Sequence, residues 1–255
     1  MSKNKCNLKE SLALNSCISK TYCEARQRLA TFGAGLPLVT PCEAVKTVIM
    51  KALNGTRELD YHMLLTGVCY TGNLDLVKFV VNQVGNRLTR TDFNSSLSEA
   101  CHDGYIDIVH FMIEKGANNW PSGLYMSCLG GELALVKLMV EKAKGVFTKK
   151  RWNLALYGAC SSGVLEVVEF LVECIGKYSA QIWGYSDENE NEDETHTWFD
   201  WDEGLTGACK GKNNPLAKGR DHAKIACLMV ENGADTCYNC EKPALNHTHP
   251  YIFNQ

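Results

Sequence analysis

The residues best suited to chemistry are cysteines and histidines, and they are densest near the end of the sequence. Cys237 and Cys240 are three positions apart, and His247 and His249 follow a short intervening segment. Two cysteines with this spacing can bind one ion from a single turn, and two histidines could complete a tetrahedral zinc site. The His-x-His spacing is tighter than in a usual zinc finger. The sequence therefore suggests a structural zinc site, with a polar tail carrying two free thiols as the alternative.

A cysteine–histidine pair for catalysis also has to be considered. Cys101 and His102 are adjacent, but consecutive side chains on a helix point in different directions. The sequence contains no Gly-rich phosphate loop, no Gly-x-Ser-x-Gly elbow and no His-Glu-x-x-His motif. We therefore predict that the protein is not an enzyme and has no catalytic residues. An enzyme that uses the Cys101/His102 pair or a metal in the tail is the alternative.

One frame of residues recurs five times, each time centred on a cysteine. A leucine stands four positions before the cysteine and an aromatic residue eight positions before it. In the first four copies a glycine follows three positions after it. Such self-similarity is the signature of a repeat protein. The five cysteines are Cys69, Cys101, Cys128, Cys160 and Cys209, at intervals of 32, 27, 32 and 49 residues.

Each copy of the frame predicts two helices joined by a turn. The glycine suits the left-handed conformation at a helix C-terminus, and an acidic residue (Asp75, Asp107 or Glu166) begins the second helix in three copies. The repeated cysteine then acts as a small buried hydrophobe. A disulfide framework is the competing interpretation, but it requires an oxidising compartment, and the 13 cysteines are odd in number.

Composition and charge narrow the class of protein. The net charge of the 255 residues is -3, and 22% of them are charged, as in ordinary soluble proteins. This charge favours neither a nucleic acid nor an anionic membrane as partner. No apolar run reaches the length of a membrane span, and the N-terminus lacks the apolar region of a signal peptide. We expect a cytoplasmic protein.

The segments outside the frame complete the domain organisation. Residues 1–60 lack the repeat and predict capping helices, at Ser11–Ile18, Cys23–Thr31 and Glu43–Leu53. Residues 61–235 hold about five repeats, the last interrupted by an acidic insertion at 183–203 and a basic one at 210–221. We interpret both insertions as solvated loops. Residues 236–255 form the Cys/His tail.

The repeats resemble those of a known family. Residues 99–117, EACHDGYIDIVHFMIEKGA, resemble the core of an ankyrin repeat, and Glu231-Asn232-Gly233-Ala234-Asp235 resembles the end of one. The family's Thr-Pro-Leu-His tetrapeptide keeps only its leucine. The family's histidine is replaced by Ser98, Tyr125, Tyr157 and Thr206. This divergent style, with Ala-Cys or Ser-Cys before the turn, is similar to ankyrin arrays encoded by large DNA viruses.

The resemblance implies an all-α ankyrin-type solenoid that binds proteins. In that family, the positions directly after the cysteine lie at the end of the inner helix and face the concave groove. These positions vary within an otherwise constant frame, which fits either contact with a partner or plain exposure to solvent. The partner-binding residues that we predict here are Tyr70, Thr71, His102, Asp103, Leu129, Ser161 and Ser162.

The function that we predict is a non-catalytic protein–protein interaction scaffold, present as a monomer. If the viral likeness holds, its partners are host proteins in the host cytoplasm. The alternative from another class is a structural component, such as a virion protein, whose repeats pack against copies of themselves. No cofactor is predicted apart from the structural zinc considered above.

Overall fold

The computed structural model describes residues 13–20, 41–54, 59–143, 148–182, 200–214, 217, 219, 221–238 and 242–243. Helices dominate these residues, so the fold class is all-α with paired helical repeats, as predicted. The chain divides into two compact units. One comprises Met1–Ala100 and Tyr105–Asn118, and the other comprises Cys101–Gly104 and Asn119–Gln255.

The helices follow one another in pairs. Their bounds are α1 (residues 13–20), α2 (Pro41–Leu53), α3 (Tyr61–Cys69), α4 (Leu74–Val84), α5 (Arg90–Asp103), α6 (Ile106–Glu114), α7 (Trp120–Gly130), α8 (Leu133–Lys142), α9 (Lys149–Ser162), α10 (Leu165–Ile182), α11 (Trp201–Lys212) and α12 (His222–Glu231). A single 3-10 turn spans Gly85–Arg87, and an antiparallel hairpin joins β1 (Thr236–Cys237) to β2 (Lys242–Pro243). We call α3, α5, α7, α9 and α11 the first helices of the repeats, and α4, α6, α8, α10 and α12 the second helices.

The predicted helical hairpins are present, and three of their second helices begin with the predicted acidic residue. Asp75, Asp107 and Glu166 lie in the first turns of α4, α6 and α10, where a negative charge interacts favourably with the helix dipole. Within the second unit, α9 packs against both α7 and α11, and α7 and α11 each pack against their own second helix. Their core faces are lined by fully buried apolar residues, among them Leu124, Leu156 and Leu205. Burying one such side chain stabilises the fold by about 1.5–3 kcal/mol.

A glycine lies at or just beyond the end of the first helix in the first four repeats, and its conformation is the one the frame predicts. Gly131, for example, has a φ of 71°, and its N–H donates to the carbonyl of Cys128 at 3.0 Å. The next N–H, of Glu132, donates to the carbonyl of Ser127 at 3.0 Å, which completes the helix C-terminus. The corresponding φ angles are 65° at Gly72, 79° at Gly104 and 74° at Gly163.

The same glycines also contact the following repeat. A Cβ at Gly131 would lie 2.6 Å from the Val164 side chain, at the start of the next second helix. The three other turn glycines face the equivalent residue in the same way. The pairs are Gly72 with Tyr105, Gly104 with Glu132, and Gly163 with His222. The turn glycine therefore provides a left-handed conformation and a close contact between repeats at once.

The first two described helices lie beside the first and the second helix of the repeat that follows them. The side-chain amide of Asn15 in α1 donates to the carbonyl of Met63 in α3 at 2.6 Å, so α1 lies beside the first helix of the next repeat. Helix α2 packs against the second helix α4. Its Lys46 lies 5.6 Å from the Phe79 ring, as Lys78 of α4 lies 5.9 Å from the ring of Phe111 in α6. Thus α1 and α2 occupy the places of a first and a second helix. The predicted helix at residues 23–31 lies outside the described residues.

Helix α11 extends at both ends into segments that were predicted to be insertions. It includes Trp201–Glu203 and Lys210–Lys212, which belong to the predicted acidic and basic insertions. The chain before α12 is not simply solvated either. The N–H of Gly219 donates to the carbonyl of Ser162 at 3.0 Å, and the N–H of Asp221 donates to the carbonyl of Gly163 at 3.2 Å. The end of the basic insertion therefore pairs with backbone carbonyls at the end of α9.

His222 continues this docking as a buried side chain. Its Nε2 donates to the carbonyl of Ser161 at 3.4 Å, and its ring packs against Gly163 and Gly211. Burial lowers the pKa of His222 from its usual 6.5, although the bond to Ser161 and the neighbouring carboxylate of Asp221 favour the charged form. The folded protein thus keeps this imidazole neutral more strongly than the unfolded chain does.

Two helical glycines should respond oppositely to alanine. A methyl group at Gly130 would overlap the carbonyl oxygen of His102, whereas one at Gly176 in α10 would meet nothing within 4 Å. We expect Gly130→Ala to lower the free energy of unfolding by about 1–3 kcal/mol. Gly176→Ala should raise it by up to about 1 kcal/mol, because alanine favours helix more than glycine does. Urea unfolding monitored by circular dichroism checks both. An unchanged midpoint for Gly130→Ala would contradict the close approach.

His222 should make stability depend on pH. Its folded-state pKa lies below the unfolded value of 6.5, so its contribution is complete above pH 6.5 and is lost as pH falls through the folded-state pKa. We expect the urea midpoint of the wild type to fall more steeply below about pH 6.5 than that of His222→Gln. The glutamine variant controls for the other titrating groups. Parallel pH profiles of the two proteins would show that His222 is not responsible.

Candidate functional site

The predicted partner-binding residues lie at the ends of the first helices, and the structure places them in different environments. In the first unit, the Tyr70 side chain is 54% exposed directly after α3. The neighbouring Thr71 is half-buried and serves the turn, because its hydroxyl donates to the carbonyl of Val68 at 2.6 Å and accepts from the N–H of Asn73 at 3.2 Å. Of these two residues, Tyr70 is the one with a side chain open to a partner.

In the second unit, His102, Asp103 and Leu129 are all partly exposed. Nδ1 of His102 lies 2.8 Å from Oδ1 of Asp103, so the two adjacent side chains form a pair at the end of α5. The Cys101 thiol is fully buried, whereas the His102 imidazole is partly open to solvent. The structure therefore shows His102 paired with a carboxylate and, unlike the thiol, accessible.

Ser161 and Ser162 are buried, at 7% and 1% exposure, unlike the other predicted residues. The Ser162 hydroxyl donates to the carbonyl of Ala159 at 2.7 Å and accepts from the N–H of Val164 at 3.2 Å. The Ser161 carbonyl accepts from His222. These two serines thus support the turn and the next repeat, and we leave them out of the surface proposed below. The physical reason is that the chain before α12 covers the end of α9.

A group of side chains that the sequence analysis did not assign to binding lies on the same helices. Tyr125 and Leu129 are one helical turn apart on α7, and Leu154 and Tyr157 are one turn apart on α9. Lys210 on α11 lies with its Nζ 5.8 Å from the centre of the Tyr157 ring. We call Tyr125, Leu129, Leu154, Tyr157 and Lys210 the tyrosine surface.

The two tyrosines and the lysine of the tyrosine surface affect one another's pKa values. Burial raises the pKa of the Tyr125 hydroxyl, and the neighbouring Tyr157 raises it further, whereas Lys210 lowers it. A hydrogen bond with Tyr157 raises the pKa of Lys210, so this ammonium group stays charged at neutral pH. Leu154 is 43% exposed although it is apolar. The surface therefore combines two aromatic rings, apolar side chains and one positive charge.

The sequence contained a signal for these tyrosines that was interpreted differently. Tyr125 and Tyr157 stand where the ankyrin motif has histidine, so they are departures from that motif. Ser98 and Thr206 occupy the same position in other repeats. Ser98 bonds to its own helix at Asn94, and Thr206 accepts from the N–H of Tyr238 at 2.9 Å. The departures thus place a tyrosine on the surface in two repeats, a hydrogen bond within the helix at Ser98, and a hydrogen bond to the β1 segment at Thr206.

Four of the five repeated cysteines are core residues, as predicted. Cys69, Cys101, Cys128 and Cys160 are at most 1% exposed, and Cys209 is half-buried. Burial raises the pKa of the Cys101 thiol to about 12, and it also raises the pKa values of Cys128 and Cys160. A thiol that stays protonated in an apolar core is a poor nucleophile.

The metal prediction falls mainly on residues outside the described part of the chain, which include Cys240, His247 and His249. Cys237 is among the described residues and lies buried in β1, where the Thr206 hydroxyl donates a hydrogen bond to its sulfur at 3.9 Å. Within the described ranges, no group of three or more His, Cys, Asp or Glu side chains is arranged to hold a metal ion. The four-residue zinc site therefore stays a prediction.

Comparison with known proteins matches three of the repeats to a family model. Residues 97–182, which contain α7, α8, α9 and α10, match the family model described as ankyrin repeats, in three copies. No curated protein and no solved structure matches the chain. Among the described helices, none is both long and apolar enough to pass through a bilayer. The family match covers Tyr125, Leu129, Leu154 and Tyr157 of the tyrosine surface.

The buried cysteines should resist modification in the folded protein. We expect iodoacetamide at about pH 8 to label Cys101, Cys128 and Cys160 about a hundredfold or more slowly than the exposed Cys17, because their thiolates are buried and scarce. Peptide mapping by mass spectrometry measures the rates, and labelling in urea provides the unfolded control. Rapid labelling of Cys101 in the native protein would reopen the catalytic interpretation.

Proposed function

We propose that this protein is a non-catalytic protein–protein interaction scaffold that uses the tyrosine surface for binding. The observation that carries the proposal is the exposure of apolar and aromatic side chains on first helices whose backbones are packed closely together. Leu154 is 43% exposed, and Tyr125, Leu129 and Tyr157 are half-buried. Tyrosine contributes large contact area at little conformational cost, which suits a protein interface.

The way in which the helices pack supports a preformed surface. A Cβ added at Gly158 in α9 would lie 3.1 Å from the carbonyl oxygen of Tyr125, and one added at Gly207 in α11 would lie 2.5 Å from that of Tyr157. These contacts fix the positions from which the tyrosines project. A side chain on a fixed helix loses less entropy on binding than one on a flexible loop. Stacked repeats in general present extended surfaces of this kind.

The match to ankyrin repeats supports protein binding over catalysis, because such repeats imply an interaction scaffold. A viral origin, host partners, a cytoplasmic location and a monomeric state stay predictions from the sequence. The proposal itself rests only on the surface and on the repeat family.

Substitutions of two equally exposed residues test the proposal. Leu154 on the tyrosine surface and Ile106 on α6 are both 43% exposed. We expect Leu154→Asp to reduce capture of specific partners from a lysate of the source organism by about tenfold or more. The reason is that the aspartate would have to lose its hydration when a partner covers it. Ile106→Asp should leave capture unchanged. Quantitative mass spectrometry measures capture, and circular dichroism confirms that both variants fold.

The opposite result would be informative. If Leu154→Asp captures the same proteins as the wild type, binding does not involve the tyrosine surface. If Ile106→Asp loses the partners instead, the binding surface lies on the first unit.

A further inference from the structure

The position of Lys210 suggests what kind of partner the tyrosine surface accepts. Its ammonium group lies 5.8 Å from the centre of the Tyr157 ring, at the last turn of α11. Among the residues that the structure describes, no carboxylate forms an ion pair with it. The Lys210 side chain thus lies against an aromatic ring and not against a carboxylate of the described residues.

Three acidic groups on α5 and at the start of α11 are engaged with other partners. At the other end of α11, Asp200 accepts from the N–H of Glu203 at 3.0 Å, and Asp202 accepts from the N–H groups of Asp235 and Thr236 at 2.6 and 3.0 Å. On the other side, the Asp103 carboxylate pairs with His102. Lys210 is therefore the ionic group that the tyrosine surface itself offers to a partner.

We propose that the tyrosine surface binds a protein segment that carries an Asp or Glu carboxylate next to an apolar side chain. The carboxylate pairs with Lys210, and the apolar side chain covers Tyr125, Leu129 and Leu154. This inference rests on the proposed function and makes it more specific. It follows from charge complementarity, because an ammonium group beside aromatic rings attracts a carboxylate and repels a basic segment. A purely apolar partner would leave the ammonium group buried and unpaired, which is costly.

Selection from a random dodecapeptide library displayed on phage tests this inference. The full chain is used as wild type, as Lys210→Glu and as Lys137→Glu. Lys137 is a matched control because it also lies over an aromatic ring, 5.4 Å from the centre of Phe170, but on the second helix α8. We expect wild type and Lys137→Glu to enrich peptides with Asp or Glu beside an apolar residue. Lys210→Glu should enrich peptides with Lys or Arg in that place.

Affinities of a synthetic consensus peptide complete the test. We expect Lys210→Glu to raise the dissociation constant of the consensus peptide by about tenfold or more, whereas Lys137→Glu should leave it unchanged. If the enriched peptides lack a carboxylate but lose binding to Tyr157→Ala, the inference about the partner's charge is wrong and the proposed function stands. If no enriched peptide depends on either Tyr157 or Lys210, both are wrong.

Discussion

The structure of the second unit depends on the close approach of successive first helices, which glycines make possible. Gly130, Gly158, Gly207 and Gly211 each face a backbone carbonyl of the preceding first helix. With no Cβ in the way, the helices approach until backbone meets backbone. Protein interiors are packed too densely to absorb an extra methyl group at such a contact without displacing the helix. The geometry of every side chain on the tyrosine surface follows from this spacing.

The turn glycines extend the same constraint to the connection between repeats. Gly163 adopts a left-handed conformation, and its missing side chain leaves room for His222 of the following repeat. His222 and the backbone of Gly219 and Asp221 then hydrogen-bond to the carbonyls at the end of α9. The final repeat is thereby attached although its two helices are separated by a longer segment. Because the imidazole of His222 is buried, the stability of this repeat depends on pH.

The proposed function is linked to the core by the division of each first helix into two faces. On α9, Leu156 and Cys160 point into the core and are fully buried, while Leu154 and Tyr157 lie on the exposed face. Burial raises the pKa of the Cys101, Cys128 and Cys160 thiols, and these three cysteines serve packing. Recognition is then left to the exposed face, where two tyrosines replace the histidine of the family motif and Lys210 adds a charge.

The sequence by itself determined the repeat, the helical hairpins, the turn glycines and the buried cysteines, because each follows from local periodicity or from the conformational freedom of one residue. It did not show that Ser161 and Ser162 are buried, since a segment more than fifty residues later covers them. Nor did it show that Tyr125, Tyr157 and Lys210 share one surface. Their proximity depends on how closely three helices pack. Only the tertiary structure decides that distance, because it is set by contacts between backbones that lie far apart in the chain.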